Sequence, residues 1–358
     1  MDWMFELRGS LTKKQSIGLG IFGITLFLGL WFALTMGEDP LLQKQILPSP
    51  IKVFSSYGEL LRDNNLVVNV TKSIGLNLSG YVLAILLTLP IGFIIGLYPL
   101  FRGLFQRYIE AIRFVPITAT LGIFIVWFGI GVSMKSAFMA FGIFIFLLPV
   151  VVQRIDEVKS VYLKTVYTLG ATNWQTIRTV YIPSVLSRLW DDIRIMTAIS
   201  WTYIVFIEAN GSEGGVGDLL IRGARRRGRV DKVFALLILI ILIGVFQDKI
   251  FAYMDRKLFP HKYQAKGKFD HNSKNNKESV VSTILDFCWL AFTWICLGLY
   301  VVFALDECFG ILGHLNILTY LFADTSWVIH FTFLSIIAYK LWNLISHKMN
   351  NAHGTVPV

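Results

Sequence analysis

Between Thr168 and Pro183 the chain reads Thr168, Leu169, Gly170, Ala171, then Trp174, Arg178, Val180, Ile182 and Pro183, residue types suited to mechanical docking rather than to bond making. Val158, Val161 and Val166 mark an apolar helical face that reaches Gly170, and glycine ends a helix readily because it accepts φ > 0. Thr172 or Asn173 can cap a second short helix that carries Trp174, Ile177 and Val180. Pro183 removes a backbone donor and disfavours helix at Ile182. The expected product is a short helix–turn–helix, bent at a glycine and stopped by a proline. Two uses fit its apolar, aromatic surface: seating in a groove of another protein, or lying on lipid headgroups.

Two further groups have chemical potential. Ser200, Trp201, Thr202 and Tyr203 interrupt an apolar run, with Glu208 and Asn210 at its end. Polar groups inside a membrane span mark a solute path, whereas the same Glu208 at a boundary is simply solvated. Arg222, Arg225, Arg226, Arg227 and Arg229 form a basic cluster that either attracts an anion or an acidic protein, or is a solvated loop face. Asp191, Asp192 and Arg194 read as local pairing at a span end. No Gly-rich stretch ends in Gly-Lys-Ser/Thr, so nothing here cradles the phosphates of ATP. Zinc-type histidine spacing and a nucleophile elbow are also missing from the sequence, so no catalytic or metal-ligating residue is assigned.

The elements that must position these groups are apolar. Hydrophobic residues make up 55% of the chain and charged residues 16%, against about 25% charged in soluble domains. The segments 17–37, 73–101, 114–134, 136–153 and 287–305 contain no Asp, Glu, Lys or Arg. Each is close to the ~20 helical residues that cross a hydrocarbon core. Weaker apolar stretches at 195–207, 233–247 and 325–339 bring the expected number of helices to about eight. The first stretch exceeds a signal-peptide core and lacks a small-residue cleavage site, so it reads as a retained span. The net charge of +10 does not point to nucleic acid, because the basic residues lie between the apolar spans.

Lys and Arg favour the cytoplasmic side of short loops. Placing both termini inside puts 102–107, 154–188 and 256–268 inside as well. The arginines at 222–229 then fall outside, against the rule. Residues 262–279 are polar, rich in Lys and Asn, and read as a linker. Gly92 and Gly96 have the small-xxx-small spacing that lets neighbouring spans approach closely. Cys288, Cys296 and Cys308 imply neither a disulfide framework nor a metal site.

The run Gly170, nine residues, Val180, one residue, Ile182-Pro183 resembles the coupling loop of binding-protein-dependent ABC importer permeases. That loop reads Glu-Ala-Ala, three residues, Gly, nine residues, Ile, one residue, Leu-Pro. Here Lys164, Thr165 and Val166 replace Glu-Ala-Ala, which reverses a charge at the docking surface. Ile46 to Pro50, Arg113, Pro116 and Ala119, Trp127 to Gly131 with Lys135, and Glu208, Gly214 to Gly217 and Asp248 are similar to the nitrate, sulfonate, taurine and bicarbonate branch.

The resemblance implies an all-α polytopic membrane protein: a type I ABC importer core of about six transmembrane helices over 1–259, with its coupling loop at 154–187. A cytoplasmic linker at 260–280 and an accessory two-helix transmembrane hairpin with a cytoplasmic tail at 281–358 complete it. The implied activity is import of a small oxyanion or sulfonate, such as nitrate, taurine or bicarbonate, across a bacterial plasma membrane. Implied partners are ABC ATPase subunits that hold ATP and Mg, an extracytoplasmic solute-binding protein and a second permease copy. The chain itself then binds no cofactor. The competing function is a non-transporting membrane scaffold or regulator that keeps the permease fold; a membrane enzyme comes third.

Overall fold

Backbone N–H and C=O groups cannot go unpaired in lipid, so long apolar runs must close their own hydrogen bonds as helices. The computed structural model bears this out: every regular element is helical among the described residues, which are 12–36, 42–43, 45–211, 214–260, 262, 280–310 and 315–352. Six helices there are long and apolar enough to cross a membrane: Lys14–Thr35, Leu66–Leu97, Val132–Asp156, Val230–Leu258, Ala291–Phe309 and Ile317–Trp342.

Contacts divide the chain into two units. One comprises residues up to Leu66 together with Leu219–Ile241. Its first helix, α1 (Lys13–Thr35), starts at a capping box in which Thr12 and Gln15 satisfy each other's backbone donors. Ile17, Phe22 and Phe27 on α1 are all more than 60% exposed, as a helix bathed in acyl chains requires. Helix α2 (Pro50–Asp63) is amphipathic, burying Pro50, Val53, Ser56 and Leu60 at three- and four-residue spacing. Trp31 donates its indole N–H to the Pro48 carbonyl at 3.0 Å, and Tyr57 donates to the Ala235 carbonyl at 2.7 Å.

The other unit comprises 67–218 and 242–358. Helix α3 (Leu66–Leu97) continues through Pro90, and α4 (Pro99–Ile112) meets α5 (Ile117–Phe128) at a bend of 109°. The charge-free stretch 114–134 is therefore not one straight span. Pro116 holds the N-cap of α5, and Gly129 (φ 74°) and Gly131 end it after twelve residues, about 18 Å of helix. That is shorter than the ~30 Å hydrocarbon core. Counting the bent pair as one span raises the total to seven.

Helix α6 (Val132–Asp156) is the buried centre and packs most extensively against α9 (Ile182–Asn210). On α3, a Cβ at Gly92 would lie 2.6 Å from Val151 and one at Gly96 2.5 Å from Ile155. The small-xxx-small spacing thus lets α3 lie directly on α6, as expected. Helix α9 is 29 residues long but carries Arg188, Asp191, Asp192, Arg194 and Glu208, which keep it out of the apolar set.

Between α6 and α9 lie α7 (Ser160–Thr168) and α8 (Asn173–Thr176). After α9 come α10 (Val216–Asp218) and α11 (Val230–Leu258). Helix α12 (Val280–Phe309), α13 (Ile317–Phe322) and α14 (Ser326–Ala352) finish the chain. Tyr300 stacks on Phe333 at 4.5 Å between α12 and α14, and Thr71 of α3 donates to the Leu321 carbonyl at 2.9 Å. Most of the 260–280 stretch lies outside the described residues.

Candidate coupling platform and polar pathway

The platform is built by two successive caps. Gly170 takes φ 77° after α7, and its N–H reaches the Tyr167 carbonyl at 3.0 Å while Ala171 N–H reaches Val166 at 3.1 Å. This pair of bonds is a Schellman stop, which consumes the orphan carbonyls of the helix end. Thr172 then opens α8 through a capping box with Gln175.

Pro183 does not terminate the helical winding. Residues Ile177–Tyr181 wind as a π-helix, and α9 begins at Ile182 with Pro183 in its first turn. Proline is tolerated where its missing N–H is not needed, and the wider π turn re-routes the hydrogen bonds ahead of it. In place of the expected break, a continuous helical path runs from Asn173 to Asn210.

The expected platform residues separate by burial. Leu169 is 80% exposed and Trp174 68%, with Lys164, Thr168, Gly170, Arg178 and Pro183 also on the surface. Ala171 and Ile182 are half-buried and Val180 is buried. Leu169 and Trp174 present apolar area outward, while Val180 fastens the path to the body of the protein.

Charge pairs lock this path to its neighbours. Arg154 of α6 forms a bidentate pair with Asp192 of α9 at 2.7 and 2.8 Å and also holds Glu157 at 2.7 Å. Arg188 of α9 reaches the Glu157 carbonyl at 3.2 Å. Arg102 of α4 pairs with Asp156. Asp191 pairs with Lys262, and Arg194 with Asp248 of α11 at 2.7 Å. Asp191, Asp192 and Arg194 therefore tie elements together rather than pairing locally, because the helices bring in partners more than 35 residues away. The hydrogen bond from Arg154 holds the Glu157 carboxyl below the ordinary carboxylate range of about 4.3. Its contribution is complete above that range and is lost as pH falls through the lowered value.

Among the expected pathway residues, Ser200 is buried and accepts from the Asn77 amide at 2.9 Å. Gln247 extends that contact, donating to Asn77 and accepting from Trp201 at 2.8 Å. Glu208, 2% exposed, is not solvated. It accepts from Ser73 at 2.7 Å and from Gly217 N–H at 2.8 Å, while Val216 N–H donates to Ser73 and Gly215 N–H to Asn69. Glu208 thus clamps the Gly214–Gly217 segment onto α3. Thr202 and Asn210 are exposed and Tyr203 is half-buried, and none of the three joins this network. Sequence reasoning misses Asn69, Ser73 and Asn77, although their four-residue spacing on one face of α3 is a legible signal. Glu208→Ala leaves buried donors unpaired and is expected to cost about 2–4 kcal/mol. Faster amide exchange over 214–218 in the intact chain checks it.

The family of binding-protein-dependent transport system inner membrane components matches residues 88–260. An ABC transporter permease of Methanocaldococcus jannaschii is 31% identical over 205 residues, covering 56% of this chain and 75% of the relative. The chain belongs to the binding-protein-dependent ABC transporter permeases. A Bacillus subtilis permease named for aliphatic sulfonates is 29% identical over 60% of this chain and 77% of its own length. The taurine transport system permease of Escherichia coli is 26% identical over 71% of this chain and 92% of its own. As a permease subunit, the protein is a multi-pass membrane component of an ABC importer. The family match stops short of α12 to α14.

The arginines of the permease divide into two roles. Arg222 lies on the π-helix Leu219–Ala224, and Arg225, Arg226 and Arg227 form an exposed 3₁₀ turn closed by Gly228 at φ 68°. Arg229 instead bonds Glu59 at 2.9 Å and Asp231 at 2.8 Å, and Lys232 reaches Glu59 at 3.2 Å. The Arg229 contact holds the Glu59 carboxyl below its usual range. Changing Arg225, Arg226 and Arg227 together to Gln is expected to leave the melting temperature unchanged and to reduce uptake, measured in proteoliposomes. Arg229→Gln is expected to lower the melting temperature, because it removes a structural tie.

Proposed function

We propose that the permease is the channel-forming subunit of a type I importer. Two copies enclose a central pathway, two cytoplasmic ATPases hold ATP and Mg, and an extracytoplasmic solute-binding protein delivers the solute. The chain itself contributes no cofactor site. Residues 1–259 make the six-helix core, 260–280 a cytoplasmic linker and 281–358 an accessory membrane hairpin and tail, with both termini in the cytoplasm of a bacterial plasma membrane. The observation that carries this reading is the exposed Leu169–Trp174 surface, whose part from Asn173 onward runs without a helical break into α9, itself tied to α6 through Arg154. Closure of the ATPases around that surface moves α9, and the polar network at Asn77 and Ser200 moves with it.

The preferred solute is a small sulfonate or oxyanion, supported by the relatives named for aliphatic sulfonates and taurine. Proteoliposomes containing the permease, its ATPase and its solute-binding protein should accumulate labelled 2-aminoethanesulfonate only with ATP. Lys164 stands exposed where the family loop carries Glu, which favours the scaffold as the second reading. ATPase binding without uptake of any sulfonate, nitrate or bicarbonate would select that reading.

A further inference from the structure

One face of α3 carries Asn69, Ser73, Asn77 and Tyr81 at four-residue spacing, so the polar stripe that meets α9 extends a turn beyond Asn77. Tyr81 is 4% exposed, and among the described residues its hydroxyl finds no hydrogen-bond partner of proper geometry. The Ser200 hydroxyl lies beside it but is aligned elsewhere. Ser200 accepts from the Asn77 amide at 2.9 Å and donates to the Thr197 carbonyl at 2.7 Å. A buried hydroxyl without a partner costs more than a made bond gains, so a structure that keeps one stores free energy at that point.

Tyr81 is also held where α9 reaches it. Its ring lies 6.5 Å from that of Phe251 on α11, and Phe251 in turn lies 5.5 Å from Trp190 on α9. Trp190 donates its indole N–H to the Phe251 carbonyl at 3.0 Å. Trp190 stands toward the platform end of α9, and Ser200 follows about 15 Å further along the same helix. A displacement of α9 therefore acts on Tyr81 twice, on the ring through Phe251 and at the hydroxyl through Ser200. Gln247 of α11 donates to the Asn77 side-chain oxygen at 3.4 Å, so Asn77 keeps a second partner besides Ser200.

We propose that Tyr81 is a positioning residue of the transport step, the partner that takes Ser200 from Asn77 when α9 moves. In the resting arrangement the Asn77–Ser200 bond is made and Tyr81 is unpaired. In the moved arrangement Ser200 bonds Tyr81, and Asn77 is held by Gln247 alone. One bond is exchanged for one, which keeps the two arrangements close in free energy, as a two-state element requires. The inference rests on the reading that α9 moves when the ATPases close, and it names the residues that set the balance.

The test uses two substitutions that push this balance in opposite directions. Tyr81→Phe deletes the unpaired hydroxyl of the resting arrangement and the bond of the moved one. Asn77→Leu deletes the bond that holds the resting arrangement. Melting is measured on the full-length chain, and ATP hydrolysis and uptake on the chain assembled with its ATPase and solute-binding protein in proteoliposomes. Tyr81→Phe should melt at or above the wild-type temperature, yet hydrolyse ATP about five- to tenfold more slowly. Asn77→Leu should melt lower and hydrolyse ATP faster than the wild type. If Asn77→Leu fails to fold, Tyr81→Phe decides alone. A Tyr81→Phe chain that melts lower than the wild type, or hydrolyses ATP at the wild-type rate, overturns the exchange, as do two folded variants that shift hydrolysis in the same direction. Opposite shifts in hydrolysis, with no ATP-driven uptake by the wild-type complex, would uphold the exchange and count against the import reading.

Discussion

Trp174→Glu is expected to leave the permease folded and to remove its ATPase subunit. The indole is 68% exposed on α8 and supports no core, so its loss should not lower the melting temperature measurably. Under the proposed function, its apolar area seats in a groove on the partner. A central aromatic anchor typically costs about 2–4 kcal/mol when truncated, equal to a loss of roughly 30- to 1,000-fold in affinity. A buried carboxylate without a partner adds to that loss. Titration of purified ATPase onto the variant in nanodiscs reads the effect directly. Trp174→Phe keeps most of the apolar area and should retain most of the affinity. Leu169→Ala, at the tip of the Schellman turn, should lie between the two.

The second large effect is expected at Arg154. Arg154→Ala takes both guanidinium bonds from Asp192, whose side chain is only 13% exposed, and a third from Glu157. Removing one member of a buried pair strands the other charge, at about 3–5 kcal/mol when burial is complete. Arg154 is 27% exposed and Glu157 33%, so solvent screening reduces this to about 2–3 kcal/mol. Arg154→Lys keeps the charge but loses the bidentate geometry, and should recover only part of the stability. The more informative readout is coupling. With the lock open, ATP hydrolysis by the assembled complex should continue while uptake per ATP falls severalfold. Equal loss of both activities would mean that Arg154 supports the fold alone.

The two ends of the platform are legible in the sequence and its middle is not. Gly170 and Thr172 can be read because a left-handed stop and a capping box are written in single residue types at fixed spacing. The π-helix at Ile177–Tyr181 has no such signature. A shift from i→i−4 to i→i−5 bonding leaves no compositional mark, so Pro183 reads as a terminator until the turn ahead of it is seen.

The same limit appears at α5, with a different cause. A run without charge from 114 to 134 suggests one crossing, yet Pro116, Gly129 and Gly131 cut the helix to twelve residues. Absence of charge marks a stretch as apolar and carries no information about where its backbone breaks; the proline and glycines do.

For the pathway, Ser200 and Glu208 can be named because polar residues stand out in an apolar run. Their partners Asn77 and Ser73 lie 123 and 135 residues away, and only packing of α3 against α9 pairs them. Burial of Glu208 results from that pairing. A residue that looks solvated at a span boundary becomes an anchor once Gly215, Val216 and Gly217 fold over it.

The central claim is that the Leu169–Trp174 surface meets the nucleotide-driven subunit in the cytoplasm. A photoreactive amino acid at position 169, illuminated in intact membranes of cells expressing all subunits, tests it most directly. The account predicts a covalent adduct with the ATPase subunit whose yield changes when ATP is bound and trapped. Adducts with the solute-binding protein on the opposite side, or with lipid alone while the ATPase remains bound elsewhere, would contradict it.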